Sequence, residues 1–331
     1  MITDIRNIEI YTADQMSNED YHKHANVSGS TLCKIFNTCP AEYKYAEPTE
    51  SKALTFGISG HAAMLEPDLF DREFVKALDK EEYPDALTSD ASMKAWLKER
   101  GCSGYSTKKK DELTAQILAH SEISGEVVHI WHLMLEEFER ENENKTIVPV
   151  NDFETIMKMR QVVHQDPQMN SLFKDATIEM SLFCDVLIGE KWHSIKVKPD
   201  VVTANNEIPD YKTTANSDPE KFGRDAYYMG YWLKQAFISD VFSLAYDRTF
   251  RPGLLAQCKK SPFIHQMYWL TQDQIRVGRE QYTFALQRYT WCKENNTWPS
   301  YFDGAVDLPT PDYVARLHDF EQDEISIKFE E

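Results

Sequence analysis

Apolar and polar positions alternate most clearly in the middle of the chain. Residues 177–188 and 191–203 alternate on either side of Gly189-Glu190, and this pattern predicts a β-hairpin. Residues 207–213 alternate again and predict a third strand. A long aromatic helix is predicted over 218–246, a fourth strand over 263–270 and an amphipathic helix over 272–294. Upstream the period is mostly helical. Residues 1–27 read as strand or loop, with Ile8 and Ile10 alternating. Ser28-Gly29-Ser30 opens a helix over 31–45 with a serine N-cap, broken by Pro48. A second helix over 51–66 carries Leu54, Ile58, Ala62 and Leu65 on one stripe.

The segment GCSGYSTKKK within 79–110 reads as a surface loop. Residues 111–140 are helical with a break near Ser124, and 151–163 form a further helix. The C-terminal half therefore runs helix, three strands, helix, strand, helix. That order predicts an α/β (α+β) fold, a mixed central sheet flanked by helices with a helical N-terminal elaboration. We expect one domain over 1–318: a mainly helical part over 1–150, a sheet core over 151–318, and an acidic tail over 319–331.

Composition narrows the class. The net charge of −18 argues against a protein that coats nucleic acid nonspecifically, because phosphate repels a negative surface. It leaves room for a DNA enzyme with a local basic channel. No apolar run reaches the ~18 residues that a membrane span needs. The polar, acidic N-terminus is not a secretory signal. The six cysteines form no CxxC pair. A cytoplasmic protein with reduced thiols and no membrane partner is expected.

The stretch VKPDVVTANNEIPDYKTTA (197–215) carries the candidate chemistry. Lys196, Lys198 and Asp200 share one strand face, while Ile195, Val197 and Val201 share the other. On the next strand Asp210 and Lys212 share a face. If the strands pair, Asp200 and Asp210 converge with Lys212 beside them. Two carboxylates so close need a cation between them. Oxygen ligands favour Mg²⁺, with Mn²⁺ as the alternative. The backbone carbonyl of Tyr211 lies between the two side chains and is a further candidate ligand. Lys212 would hold the attacking water or offset transition-state charge, and Lys196 and Lys198 would face phosphates. The bland reading is an exposed Asp–Lys pair worth only ~0.2–1 kcal/mol. Lys108, Lys109 and Lys110 are a solvated face or a DNA-contacting loop. Glu66, before Pro67, reads as a structural helix end.

Pro199-Asp200 followed by Asp210-Tyr211-Lys212 resembles the PD-(D/E)xK nuclease superfamily. The flanks narrow the resemblance to the exonuclease VIII (RecE) family. LTFGISGHAAMLEPDLF (54–70) is similar to its histidine-bearing helix, and IPDYKTTANSDPEKF (208–222) to its metal and lysine strand. YYMGYWLKQAFISDVF (227–242) resembles its glutamine helix, VSGSTLCKIFNTCPAEYKY (27–45) its first helix, and NNTWPSYFDGAVDLPTPDY (295–313) its closing segment. The resemblance implies a restriction-endonuclease-like core. It implies His61, Asp200 and Asp210 as metal ligands and Lys212 as the catalytic lysine. Gln235 would lie near substrate, with Glu179 and Tyr231 as further candidates. Lys198 and Tyr231-Trp232 depart from the family's arginine and arginine-tyrosine.

The activity implied is ATP-independent degradation of one strand of linear duplex DNA, 5′ to 3′, leaving 3′ single-stranded tails for recombination. The partners implied are a RecT-like single-strand annealing protein and further copies of the chain in a ring, tetrameric by preference, in a bacterial or phage-infected cell. An endonuclease, a single-strand nuclease and a non-catalytic DNA-end-binding protein stay open as alternatives. The iron–sulfur nucleases of the superfamily need a cysteine cluster that this sequence lacks.

Overall fold

A computed structural model describes residues 1–47, 51–302, 304–311, 314 and 316. Pro48 and the predicted acidic tail lie outside the described residues. The chain opens on β1 (Ile2–Tyr11). Its buried anchor is Ile2, while Ile8 and Ile10, whose alternation predicts the strand, are each 40% exposed. A register shift between Arg6 and Glu9, with Asn7 at φ +53°, breaks the alternation there.

After α1 (Asn18–Lys23) and β2 (Val27–Ser28), Ser28 caps α2 (Gly29–Asn37) through the Thr31 N–H. The single helix expected over 31–45 is two helices. Pro40, which has no N–H to donate, starts α3 (Pro40–Tyr45). Ser51 caps α4 (Lys52–Leu65), followed by α5 (Pro67–Glu73) and β3 (Phe74–Lys76). The expected apolar stripe of α4 is buried only in its second half, at Ala62 and Leu65. Leu54 and Ile58 are half exposed, while Phe56, Ser59, Gly60 and Ala63 are buried.

An insert carrying α6 (Asp90–Glu99), α7 (Lys110–Ser124) and α8 (Trp131–Glu141) then leaves and returns to the body. The chain comes back as β4 (Thr146–Val148), parallel to β3, and continues into α9 (Val150–Gln165) and α10 (Pro167–Phe173). Helix α6 falls just before the GCSGYSTKKK loop, in a part of 79–110 where the sequence pattern predicts no element.

The core sheet strands follow. These are β5 (Thr177–Ile178), β6 (Ser181–Ile188), β7 (Lys191–Val197), β8 (Val201–Val202) and β9 (Glu207–Thr214). The β6–β7 hairpin turns at Gly189, φ +61°, a conformation that glycine takes without strain. Next come α11 (Pro219–Tyr228), α12 (Tyr231–Tyr246), β10 (Arg251–Cys258), β11 (His265–Trp269) and α13 (Gln272–Asn295). The aromatic helix expected over 218–246 is broken at Gly230, φ +75°, where a Cβ would meet Cys33 Sγ at 2.9 Å.

The two larger sheets run β1-β6-β7-β2 and β11-β10-β9, and β3-β4 and β5-β8 pair as two-stranded sheets. Strands β9 and β10 are parallel, so α11 and α12 form the crossover between them. Strand β10 has no counterpart in the sequence reading. It is buried on both faces and shows no alternation. The main core packs Leu182, Val186 and Ile195 of the hairpin against Leu233, Phe237 and Val241 of α12 and Tyr282 of α13. The result is the mixed α/β, restriction-endonuclease-like architecture that the sequence predicts. Among the described residues no helix is long and apolar enough to cross a membrane.

The α12–α13 contact is tight at Gly278. A Cβ there would lie 2.3 Å from the Trp232 carbonyl oxygen. Gly278→Ala should therefore cost about 2 kcal/mol despite its better helix propensity, read as a lower urea midpoint.

Candidate active site

The hairpin ladder has a gap, and the site lies in it. Thr177 pairs with Val202 and Ile178 with Val201, in the same frame as Leu182 with Val197. Between those rungs, Pro199 cannot donate to a ladder and Glu179 takes φ +54°. The Glu179 N–H still donates to the Asp200 carbonyl at 3.1 Å. Glu179 and Asp200, opposite each other across the gap, both reach His61 on α4. Its Nε2 lies 3.1 Å from Asp200 Oδ2 and 3.5 Å from Glu179 Oε1.

Asp210, on β9, joins them by a different route from the expected strand pairing. No β7–β9 ladder forms among the described residues. Instead the Tyr211 N–H donates to Asp200 Oδ2 at 2.8 Å. The alternation of β9 then places Lys212 beside Asp210, with its ammonium against Asp210 Oδ2 and 3.9 Å from Asp200 Oδ2. It also donates to the Tyr211 carbonyl at 3.2 Å, so that carbonyl faces the site. Tyr231 lies across from Lys212, 5.4 Å from ring centroid to ammonium. The cleft holds about 640 Å³ and is lined by His61, Glu179, Asp200, Lys212, Tyr231 and Lys234, among others.

Lys234 is a member that sequence reasoning misses. It donates to Asp210 Oδ1 at 2.9 Å, so each oxygen of a carboxylate only 1% exposed faces a lysine. Gly29 makes room for it: a Cβ there would sit 3.2 Å from Lys234 Cγ. Gln235, singled out from the sequence, lies one residue off. Tyr231, Lys234 and Ile238 share the stripe that walls the cleft, while Gln235 is 1% exposed and its Oε1 has no hydrogen-bond partner among the described residues. The missed signal is a lysine three residues after Tyr231 on the same helix face.

Two other expectations need correction. Lys196 does not face phosphate. It is 5% exposed and donates to the carbonyls of Tyr21 and His24 at 2.6 and 2.8 Å, tying α1 to the sheet. Lys198 borders the cleft, but its ammonium is held by Glu179 Oε2 at 2.7 Å and by Asn18. Lys108, Lys109 and Lys110 lie on the insert and line no part of the cleft. Glu66, read as structural, does end α4. Its carboxylate also clusters with His61 and Glu179, ligand atoms within 4.8 Å of one another.

Charge follows from this crowding. Burial raises the Glu179 carboxyl, and neighbouring Asp200 raises it further, against His61 and Lys198. Burial also opposes ionisation of Asp200, but His61, Lys212 and Lys234 outweigh it and hold the carboxyl well below its usual range. Burial disfavours the His61 imidazolium, yet Asp200 and Glu179 overcome that and raise it. The Lys234 ammonium, likewise opposed by burial, is held charged by Asp210 and Asp200. Carboxylates, an imidazole and a backbone carbonyl gathered at one cleft, with ligand atoms of His61, Glu66 and Glu179 within 4.8 Å of one another, are the kind of donor set that holds a hard divalent cation. The raised Glu179 marks the positive charge still wanted there. The residues therefore fit a metal ion.

A parallel β9–β10 pair with its helical crossover, Asp200 at the end of a hairpin strand, and Asp-x-Lys on the next strand define the PD-(D/E)xK class of nuclease. Within it, the chain belongs to the family described as PDDEXK-like domain of unknown function (DUF3799), which matches residues 29–308. A solved structure from Eubacterium rectale, described as a "putative exonuclease", is similar over 92% of this chain and 98% of its own, with a TM-score of 0.50 and 12% identity. That likeness concerns the fold alone. A second, SSO0001, is 17% identical over 46% of this chain and 70% of its own, with a TM-score of 0.26, too low to argue from. Comparison with curated proteins gives no match.

Two outcomes follow from the site. Because the folded His61 value is raised, its pairing stabilises fully below about pH 6.5, the ordinary imidazole value, and is lost as pH rises through the raised value. In EDTA the urea-midpoint gap between wild type and His61→Ala should narrow across that rise. Lys234→Met should cost about 2 kcal/mol in EDTA, because a buried carboxylate oxygen loses its charged donor. Ca²⁺ should raise the variant's melting temperature more than the wild type's.

Proposed function

We propose that this nuclease is a metal-dependent exodeoxyribonuclease acting on linear double-stranded DNA. The observation that carries the reading is the meeting of His61, Asp200, Asp210 and Lys212 in one cleft, from elements separated along the chain. His61, Asp200, Asp210 and the Tyr211 carbonyl, with Glu179 at the edge, would hold Mg²⁺ or Mn²⁺, which when bound supplies Lewis-acid polarisation of a phosphoryl oxygen. Lys212, whose side chain is 19% exposed, has its ammonium against Asp210 and lines the cleft. There it hydrogen-bonds the attacking water and offsets charge growing on the phosphoryl oxygens as water oxygen bonds to phosphorus, giving its proton to solvent, and the ester oxygen leaves and takes a proton from solvent. Lys234 and Lys198 fix Asp210 and Glu179, so the carboxylates need no rearrangement when substrate arrives. Tyr231, its hydroxyl pushed by burial up to about 12, stays neutral and walls the cleft beside Lys212.

The finer features rest on the sequence resemblance to the exonuclease VIII (RecE) family. They are 5′-to-3′ polarity without ATP, 3′ single-stranded products, a RecT-like annealing partner, and a ring of copies, tetrameric by preference, around the duplex. End-labelled linear duplex incubated with Mg²⁺ tests the core of the reading. Wild type should release label and leave closed circular duplex intact, and Lys212→Ala should be slower by at least ~10²-fold, the scale of one lost transition-state stabiliser. Cutting of circles would instead show an endonuclease. Binding of ends without cleavage under any divalent cation would show a non-catalytic end-binding protein.

A further inference from the structure

The insert between β3 and β4 is built around a core of its own. Leu87, Met93, Trp96, Leu97, Leu113, Ile117 and Ile130 form a cluster separate from the sheet core. Its roots, Phe74 and Val148, pack with Phe56, Ala62 and Ala63 of α4, the helix that carries His61. Over residues 77–145 the insert is acidic like the rest of the chain, with nine basic and fifteen acidic side chains, but one stretch within it is not. Residues 91–110 hold six basic side chains, Lys94, Lys98, Arg100, Lys108, Lys109 and Lys110, against one acidic, Glu99. That is a net of +5 in a protein of net −18.

These charges are not explained by local stability. Lys109 is the N-cap of α7 and Lys110 its first residue, where a cation opposes the helix dipole. Asp111 and Glu112 in the first turn already complement that dipole. Nor does solubility call for them, since lysine here lowers the magnitude of a large net charge. Of the six, Arg100 alone is ion-paired among the described residues, with Glu126 and Glu99. Lys94 and Lys108 donate to the neutral oxygens of Ser106 and Gln116 at 2.9 and 2.7 Å. Lys98, Lys109 and Lys110 are exposed, and their ammonium groups meet no carboxylate among the described residues.

The loop joining α6 to α7 is fixed in place. Gln116 Nε2 donates to the Ser103 carbonyl at 3.0 Å, and Cys102 and Tyr105 pack on the insert's core. The lysines are therefore presented on an ordered frame, which lowers the entropy cost of binding. Trp96 is 9% exposed and Tyr105 is partly buried against the insert's core, so this face offers little ring surface on which unpaired bases could stack. What it offers is ammonium groups and the hydroxyls of Ser103, Ser106 and Thr107, which are exposed. Those groups suit a regular phosphate backbone.

We propose that the insert is a second, non-catalytic binding unit for double-stranded DNA, gripping phosphates through the α6–loop–α7 face outside the cleft. The identity of the ligand as DNA rests on the nuclease reading; the basic frame does not. Such a unit gives an acidic enzyme a foothold on its substrate that does not depend on the site of cleavage.

The test uses the full chain with Lys98→Ala, Lys109→Ala and Lys110→Ala combined. Binding to blunt linear duplex is titrated against salt in EDTA, so no cleavage occurs. The slope of log affinity against log salt should shrink by about 2 to 3, on the order of 0.9 for each phosphate that is no longer neutralised. Hydrolysis of bis(p-nitrophenyl) phosphate with Mg²⁺, which needs only the cleft, should be unchanged, as should the melting temperature. An unaltered affinity and slope would overturn the proposal. So would loss of polyglutamate binding with DNA binding intact, which would assign the face to an acidic protein partner. If wild type fails to hydrolyse the small diester, the nuclease reading fails, while the salt slope still decides whether the insert binds DNA.

Discussion

Like charges gathered in a buried cleft must be balanced by opposite charge, and this requirement orders the whole active region. Glu179, Asp200 and Asp210 are each at most 6% exposed, and each sits against a cation supplied by the protein. Lys198 serves Glu179, His61 serves Asp200, and Lys212 and Lys234 share Asp210. Those cations come from α4, from the residue that follows β7, from β9 and from α12. The elements must be in register with one another before the charges cancel. Removing one partner leaves a buried charge whose desolvation is no longer repaid, so the site and the fold constrain each other.

This balance also clarifies the division of labour among the lysines. Four of them crowd the middle of the sequence region that carries the carboxylates and its crossover helix, yet they do different things. Lys196 satisfies main-chain carbonyls and never meets the cleft. Lys198 and Lys234 neutralise. Lys212 is the one whose ammonium lies near both Asp200 and Asp210 and also borders open volume. A strand-face argument groups Lys196 with Lys198 and Asp200, because alternation says which side a residue points to but not whether that side meets solvent, a helix or a cavity.

The parts legible in the sequence are those fixed by local pattern. The β6–β7 hairpin follows from alternation around Gly189-Glu190, and Lys212 beside Asp210 follows from the phase of β9, while Asp200 joins them through the Tyr211 N–H rather than through strand pairing. His61 required the family resemblance, since one histidine in an apolar helix has no local signature. Strand β10 was hidden because burial on both faces erases alternation. Gln235 was favoured by the family resemblance, and Lys234 was hidden because the rotation of α12 about its axis depends on contacts between segments far apart in sequence, such as Gly230 against Cys33 and Gly278 against Trp232. Helix α6 was obscured by the glycine-rich, lysine-rich loop that follows it.

The unbroken frame on both sides of the hairpin gap has a wider implication. A slip of one strand by a single residue would send Asp200 to the opposite face, away from His61. Two sets of rungs, one on each side of Glu179, would both have to rearrange for that to happen. The distorted backbone at the candidate site is thus bracketed by regular structure, much as a hinge pin is held between two plates. Local irregularity can be tolerated there without loss of alignment.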